Sequence, residues 1–236
     1  MFYKSKVINM ITYGLIPAFN EEKTIETVVK KLLENNEIIP LVVNDGSNDK
    51  TGEIAKEAGA LVLTHEKNKG KGEAIKTGFN YILKQNNNSP VVIIDADLQY
   101  SPEEAGKVLT PILKGSADFV KGVRNFDEVP RANRIGDLIW RGFFNFFFGT
   151  EIKDLSNGYM ALSPEALKKI KNIRGGYIIE SSMLMEAIKN KLRIEKVPVS
   201  LKYGKRKIRK YARMFFGVLF FITVEGLKYR LGTKKT

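Results

Sequence analysis

Through the first two-thirds of the chain, short apolar runs alternate with stretches whose apolar positions recur every three or four residues. Tyr13–Pro17, Leu41–Val43, Ala60–Leu63, Val91–Ile94 and Ala117–Gly122 are the runs, and each reads as a strand. Between them, Glu22–Asn35 carries Ile25, Val28, Val29, Leu32 and Leu33 at helical spacing, and Thr51–Ala58 and Gly72–Lys84 are predicted helices. Ser101–Glu104 supplies a serine cap, a proline in the first turn and two acids, which marks a helix start. Such alternation predicts an α/β fold, a parallel sheet with helices on both faces. Ligands bind such sheets beyond the carboxyl ends of the strands. Asp45 and Asp95 each follow a strand directly, so the pattern delivers two acids to one rim.

The rhythm changes after about residue 130. Two aromatic segments appear, Arg131–Gly149 and Lys207–Arg230, and eleven consecutive residues of the second, Met214–Val224, are uncharged. A membrane span needs about twenty apolar residues. This stretch is too short to cross a bilayer, and two readings stay open: a helix lying in the membrane interface, or one buried in the core or a dimer. Trp140, Phe143, Phe144, Phe146, Phe147 and Phe148 crowd too densely for one helical stripe, so some must leave the core face. Charge favours the interfacial reading. The chain has 39 Lys and Arg against 26 Asp and Glu, a net +13. Residues 189–236 carry fifteen bases and two acids, which accounts for the entire excess. A nucleic-acid-binding module, the rival motivated by that basic tail, would spread its charge over the fold instead, and no nucleic-acid partner is expected. An anionic membrane surface is the expected partner of the tail.

With 236 residues the chain suits one compact domain with a small appendage. There is no cysteine and only one histidine, His65, so thiolate and multi-histidine metal sites and cysteine nucleophiles are excluded. The opening Met1–Ile11 lacks a signal peptide's apolar core, and an intracellular catalytic domain is expected. No dinucleotide or P-loop glycine pattern is present.

The strongest local chemistry is Asp95-Ala96-Asp97 at the end of an apolar strand. Two carboxylates one residue apart suit a hard cation, Mg²⁺ or Mn²⁺, with room left for phosphate oxygens, and Gln99 adds a neutral oxygen. Three further motifs accompany it in order: Pro17–Glu22, Val43–Thr51 and Asn68–Ala74. Together they resemble family 2 glycosyltransferases over roughly residues 13–165, in the branch of dolichyl-phosphate mannose synthase and related polyprenyl-phosphate glycosyltransferases.

The resemblance implies a GT-A fold, mostly parallel, with a catalytic domain at 1–205, an acceptor-side helix at about 132–149 and a basic amphipathic, membrane-associating segment at 206–236. It implies inverting transfer of a hexose from a nucleotide-sugar donor to dolichyl or polyprenyl phosphate at the cytoplasmic face of the membrane. Mannose from GDP-mannose is the first expectation, since Asp95–Gln99 resembles that branch; UDP-glucose or UDP-N-acetylglucosamine stays open. Carried onto this chain, it puts Pro17, Phe19, Glu21 and Asp45 around the donor's base and ribose. Gly46 falls in the turn beneath the nucleotide, while Asp95, Ala96, Asp97 and Gln99 fall at ribose and metal. Gly70 and Gly72 would let the backbone approach the nucleotide closely. Arg124 matches an arginine near the diphosphate, and Arg131 and Arg134 lie where relatives meet the acceptor phosphate. Asp154–Tyr159 resembles the D-x-x-S-G-F segment with Asn157 in place of serine, which leaves Asp154 as the nearby acid. Arg206, Lys207 and Lys210 are the candidates for a phosphate-binding cation. A lipid monophosphate is largely a dianion at neutral pH and needs cations rather than a strong base. A sugar nucleotidyltransferase would share fold and metal but lacks support, for want of a glycine-rich N-terminal phosphate loop.

Overall fold

A computed structural model describes residues 11–35, 37–86, 88–125, 131–202 and 211–233, side chains of 131–133, 211–213 and 233 excepted. A seven-stranded sheet runs through it: β1 (Thr12–Ala18), β2 (Ile38–Asn44), β3 (Leu61–Thr64), β4 (Val91–Ile93), β5 (Phe119–Arg124), β6 (Met160–Leu162) and β7 (Ile194–Val199), in the order β3-β2-β1-β4-β6-β5-β7. All neighbours pair parallel except β6, which runs against β4 and β5. Helices α1 (Ile25–Leu33), α2 (Thr51–Glu57) and α4 (Ala105–Leu113) cover one face. The other face carries α3 (Lys71–Lys84), α5 (Arg131–Phe148), α6 (Pro164–Lys169), α7 (Ile179–Lys189) and α8 (Tyr211–Thr233).

The expected strands coincide with β1 to β5 to within two residues, except that β2 begins three residues earlier, at Ile38, and the fold is the expected GT-A-like α/β sheet. β6 and β7 carry no comparable signal. β6 is three residues long and buried on both faces, so it lacks the alternation that marks a half-buried strand. β7 includes Glu195, Lys196 and Pro198 and pairs only with β5, a composition tolerated at an edge.

Register explains where the site must lie. β1 pairs with β2 so that Ala18 and Asn44 end abreast, and with β4 so that Leu15 meets Ile93. The loops after all three strands therefore open side by side on one rim.

α5 and α8 hold two apolar faces each. Trp140, Phe144, Phe147 and Phe148 of α5 are buried with Val218, Phe221 and Ile222 of α8 in the core cluster of that face of the sheet. Trp140 Nε1 donates to the Phe215 carbonyl at 3.1 Å and its ring stacks on Phe215. To that extent the core reading of the aromatic segments holds. Ile135, Leu138, Ile139, Phe143 and Phe146 form a second stripe at three- and four-residue spacing, and they are exposed. On α8, Phe216 (66% exposed) and Phe220 (72%) do the same, with Leu227 and Leu231 further along. Beside α5 this surface forms an apolar groove of about 510 Å³ lined by Leu138, Ile139, Gly142, Phe143, Phe146 and Phe147. Among the described residues no helix is long and apolar enough to cross a membrane. The expected boundary at 205/206 lies outside the described residues, as do Arg206, Lys207 and Lys210.

Candidate active site

The loops after β1 and β2 are stitched together by their own polar groups. Asn20 N donates to Ser47 Oγ at 3.0 Å, Asn48 N to Asn20 Oδ1 at 2.9 Å, and Glu21 N to Thr51 Oγ1 at 2.8 Å. Gly46 sits at φ +68°, and a Cβ there would lie 2.4 Å from the Lys67 carbonyl carbon. Only glycine fits. The neighbour that demands it is the backbone of Lys67–Asn68, which reaches the rim after β3, rather than a nucleotide. Gly72 likewise makes room for a protein backbone: its Cβ would be 3.1 Å from Gly175 Cα.

A cavity of about 350 Å³ opens on this rim, lined by Pro17, Ala18, Phe19, Glu21, Asp45, Asn68, Lys71, Ala74, Asp95, Ala96 and Asp97. Seven residues expected from the sequence are thus brought together: Pro17, Phe19, Glu21, Asp45, Asp95, Ala96 and Asp97. Gln99 is not among them; its carbonyl accepts from Lys202 N at 2.8 Å, and its N–H donates to Asp97 Oδ1 at 3.0 Å. Leu98 between them has φ +56°, a costly conformation for a branched side chain, which holds the turn at the acidic pair.

Four carboxylates, Glu21, Asp45, Asp95 and Asp97, line the cavity against one ammonium, Lys71. Burial raises the pKa of Glu21 above the usual carboxylate value, Thr24 opposes this by hydrogen bonding, and the charges of Asp97, Asp49 and Asp95 raise it further. Lys71 Nζ lies 2.7 Å from Asp95 Oδ1 and 3.1 Å from Glu180 Oε1. Burial alone would lower the pKa of this lysine, but Asp95 and then Glu180 more than offset it and hold it above the ordinary value. A Cβ on Gly158 would come within 2.9 Å of Asp95 Oδ2 and 3.0 Å of Lys71 Nζ, so that glycine makes space for the pair. Lys71 and Asn68 belong to a motif in which sequence reasoning weighs only the glycines. Glu180, 109 residues beyond Lys71, has no local signal at all.

Among the described residues no three His, Asp or Glu side chains form a ready-made metal cage. Mg²⁺ or Mn²⁺ carrying a diphosphate takes only one or two protein carboxylates, with phosphate oxygens and water completing the shell. Asp95 and Asp97, side by side on an acid-lined cavity, fit that role.

Arg124 stands apart from the cavity lining. Its Nε lies 2.7 Å from Asp154 Oδ2 and its Nη2 2.7 Å from Asp154 Oδ1, 3.2 Å from Asp137 Oδ2 and 2.7 Å from Ser156 Oγ. Asp154 is buried and bound in this pair, so it is no base awaiting a hydroxyl. Beneath the same loop the buried Lys121 donates from Nζ to the carbonyls of Leu155 and Asn157. Burial pushes its pKa down to about 8, against the pull of Glu180. Arg131 opens α5, but its side chain lies outside the described residues; Arg134 is one turn on, half-buried.

Residues 15–171 match the family described as glycosyl transferase family 2. The UDP-N-acetylglucosamine–dolichyl-phosphate N-acetylglucosaminyltransferase of Methanococcus voltae is 31% identical over 92% of this chain and 96% of that protein. The polyprenol monophosphomannose synthase of Mycolicibacterium smegmatis is 29% identical over 80% of this chain and 76% of its own. In fold, the chain superposes on glucosyl-3-phosphoglycerate synthase of Mycobacterium tuberculosis, solved with Mn²⁺ and UDP, with a TM-score of 0.73 at 23% identity, covering 94% of this chain and 80% of that one. The matched span holds every loop that lines the cavity, and the chain belongs to glycosyl transferase family 2: it is a glycosyltransferase, akin to the polyprenyl-phosphate sugar transferases.

Proposed function

We propose that the enzyme transfers a hexose from a nucleotide sugar to dolichyl or polyprenyl phosphate, with inversion, at the cytoplasmic face of a membrane and with the help of a divalent cation. One observation carries the reading: four carboxylates and one lysine line a cavity on the rim of the sheet, in a chain whose helices α5 and α8 also present exposed apolar stripes. A diphosphate would be repelled by that lining unless a cation came with it. Asp95 and Asp97 would hold the Mg²⁺ or Mn²⁺, which when bound supplies charge neutralisation to the leaving diphosphate. Lys71 keeps Asp95 in place, and Glu180 keeps Lys71 charged and oriented. No protein base is needed, because the acceptor phosphate is already largely ionised; this agrees with Glu180 and Asp154 both being tied up in ion pairs. Catalysis then consists of alignment and charge stabilisation.

The names of relatives divide on the donor, one carrying UDP-N-acetylglucosamine and another mannose. Incubation with a panel of UDP- and GDP-sugars and polyprenyl phosphate, with and without EDTA, tests the reading by product mass. A lipid-linked hexose phosphate that appears only with metal is expected; no lipid-linked product from any donor, with metal present, would refute it.

The exposed stripes of α5 and α8 support membrane attachment. A contiguous apolar surface of this kind marks an interaction site, and the surrounding Lys and Arg would add roughly 1 kcal/mol each at an anionic surface. Replacing Phe216 and Phe220 together by Ser should weaken flotation with anionic liposomes and slow turnover on the lipid acceptor. Nucleotide affinity and thermal stability should hardly change, since both side chains are largely solvent-exposed. Flotation equal to wild type would remove these residues from the membrane contact.

A further inference from the structure

Asp45 reaches the donor cavity with most of its hydrogen-bonding capacity already used. The carboxylate lines the cavity, yet its side chain is only 3% exposed. Oδ1 accepts from His65 Nδ1 at 2.6 Å and from Lys69 N at 2.9 Å; Oδ2 accepts from Gly70 N at 2.7 Å. Each carboxylate oxygen offers about two acceptor positions. Oδ1 is therefore filled by the protein, and Oδ2 keeps one position. A carboxylate can only accept, so the proton of the pair sits on His65 Nδ1. The ring is buried, and its Nε2 lies 2.9 Å from Thr77 Oγ1 of α3, which fixes it against Asp45.

We propose that His65, by occupying Asp45 Oδ1, leaves the donor's base a single acceptor, and that the enzyme thereby selects uracil over guanine. The proposal rests on the nucleotide-sugar reading of the cavity. Guanine presents N1–H and N2–H₂ side by side, and the pair matches a carboxylate only when both oxygens are open. Against Asp45 one of those N–H groups would be enclosed without an acceptor, a penalty by which a hydrogen-bonding site rejects an imperfect partner. Uracil presents one N3–H, and one acceptor satisfies it. Phe19, exposed at the mouth of the cavity, offers a flat face on which either base could stack, so it does not discriminate. His65 is a positioning residue in this scheme: it touches Asp45 and not the base.

Calorimetric titration of the full chain with UDP and GDP, each with Mn²⁺, tests the proposal. UDP is expected to bind about tenfold or more tighter than GDP. GDP binding as tightly as UDP would overturn the uracil assignment and leave the nucleotide-sugar reading standing. Binding of neither would overturn both. His65→Ala opens Oδ1 and should narrow the UDP-to-GDP ratio several-fold, while His65→Gln, whose amide can still donate to Oδ1, should keep it wide. A folded His65→Ala protein with the wild-type ratio would remove His65 from the selection. The ratio itself is read on the unmutated chain and stands whether or not the variant folds.

Discussion

Asp97→Ala is expected to abolish metal-dependent sugar transfer in a protein that stays folded. The carboxylate lines the cavity beside Asp95 and supports the turn by accepting from Gln99 N at 3.0 Å. Losing that hydrogen bond costs about 1 kcal/mol of stability. Losing the metal's oxygen ligand removes several kcal/mol of charge stabilisation from the step in which the diphosphate leaves, a fall in turnover of about 10³-fold or more. Asp97→Asn separates the two effects. Its amide oxygen can still accept from Gln99 N, so stability should return to near wild type while activity stays lost. Turnover with Mg²⁺ or Mn²⁺ within a few-fold of wild type for either variant would take Asp97 out of the metal site. Because Glu21 feels the charge of Asp97, its raised pKa should also relax downward in Asp97→Asn, and metal binding measured without nucleotide should weaken.

The cavity was legible in the sequence because its parts are local. Each of Pro17–Glu21, Asp45 and Asp95–Asp97 lies at the end of an apolar strand or within a few residues after it, and parallel register then brings strand ends together without any further instruction. Glycine, proline and acidic residues at those ends have few other reasons to be there. What escaped the sequence is non-local. The Lys71–Glu180 contact spans 109 residues and Arg124–Asp154 spans 30, and no pattern in either segment announces its partner. An arginine after a strand looks alike whether it will meet a phosphate or a buried aspartate. The aromatic helices were ambiguous for a different reason. Hydrophobic periodicity reports how many faces are apolar, not which of them finds a partner, and α5 has both a buried and an exposed one. β6 was invisible because a strand buried on both sides of a sheet needs no alternation.

The same non-local pairing gives the other large effect. Asp154→Ala should destabilise the fold by about 3 kcal/mol or more, the usual result of removing one partner from a buried ion pair. Arg124 is 10% exposed and Asp154 fully enclosed. Asp154 accepts two guanidinium hydrogen bonds and also the Arg124 backbone N–H at 3.1 Å. Without it, the guanidinium keeps Asp137 and Ser156 of those partners, and Asp137 is itself held above its usual pKa, chiefly by burial. The cluster also ties β5 to α5 and to the loop that Lys121 supports, so its loss should be felt in the seating of α5 as well as in stability. Urea denaturation of wild type, Asp154→Ala, Arg124→Met and the double variant measures the coupling directly. The double variant should be more stable than Asp154→Ala alone, because it removes the stranded charge along with its partner. Additive losses would mean that the two side chains do not depend on each other. If Arg124→Met kept wild-type stability and lost only turnover, the arginine would be a substrate contact after all, and the ion cluster a resting place for it.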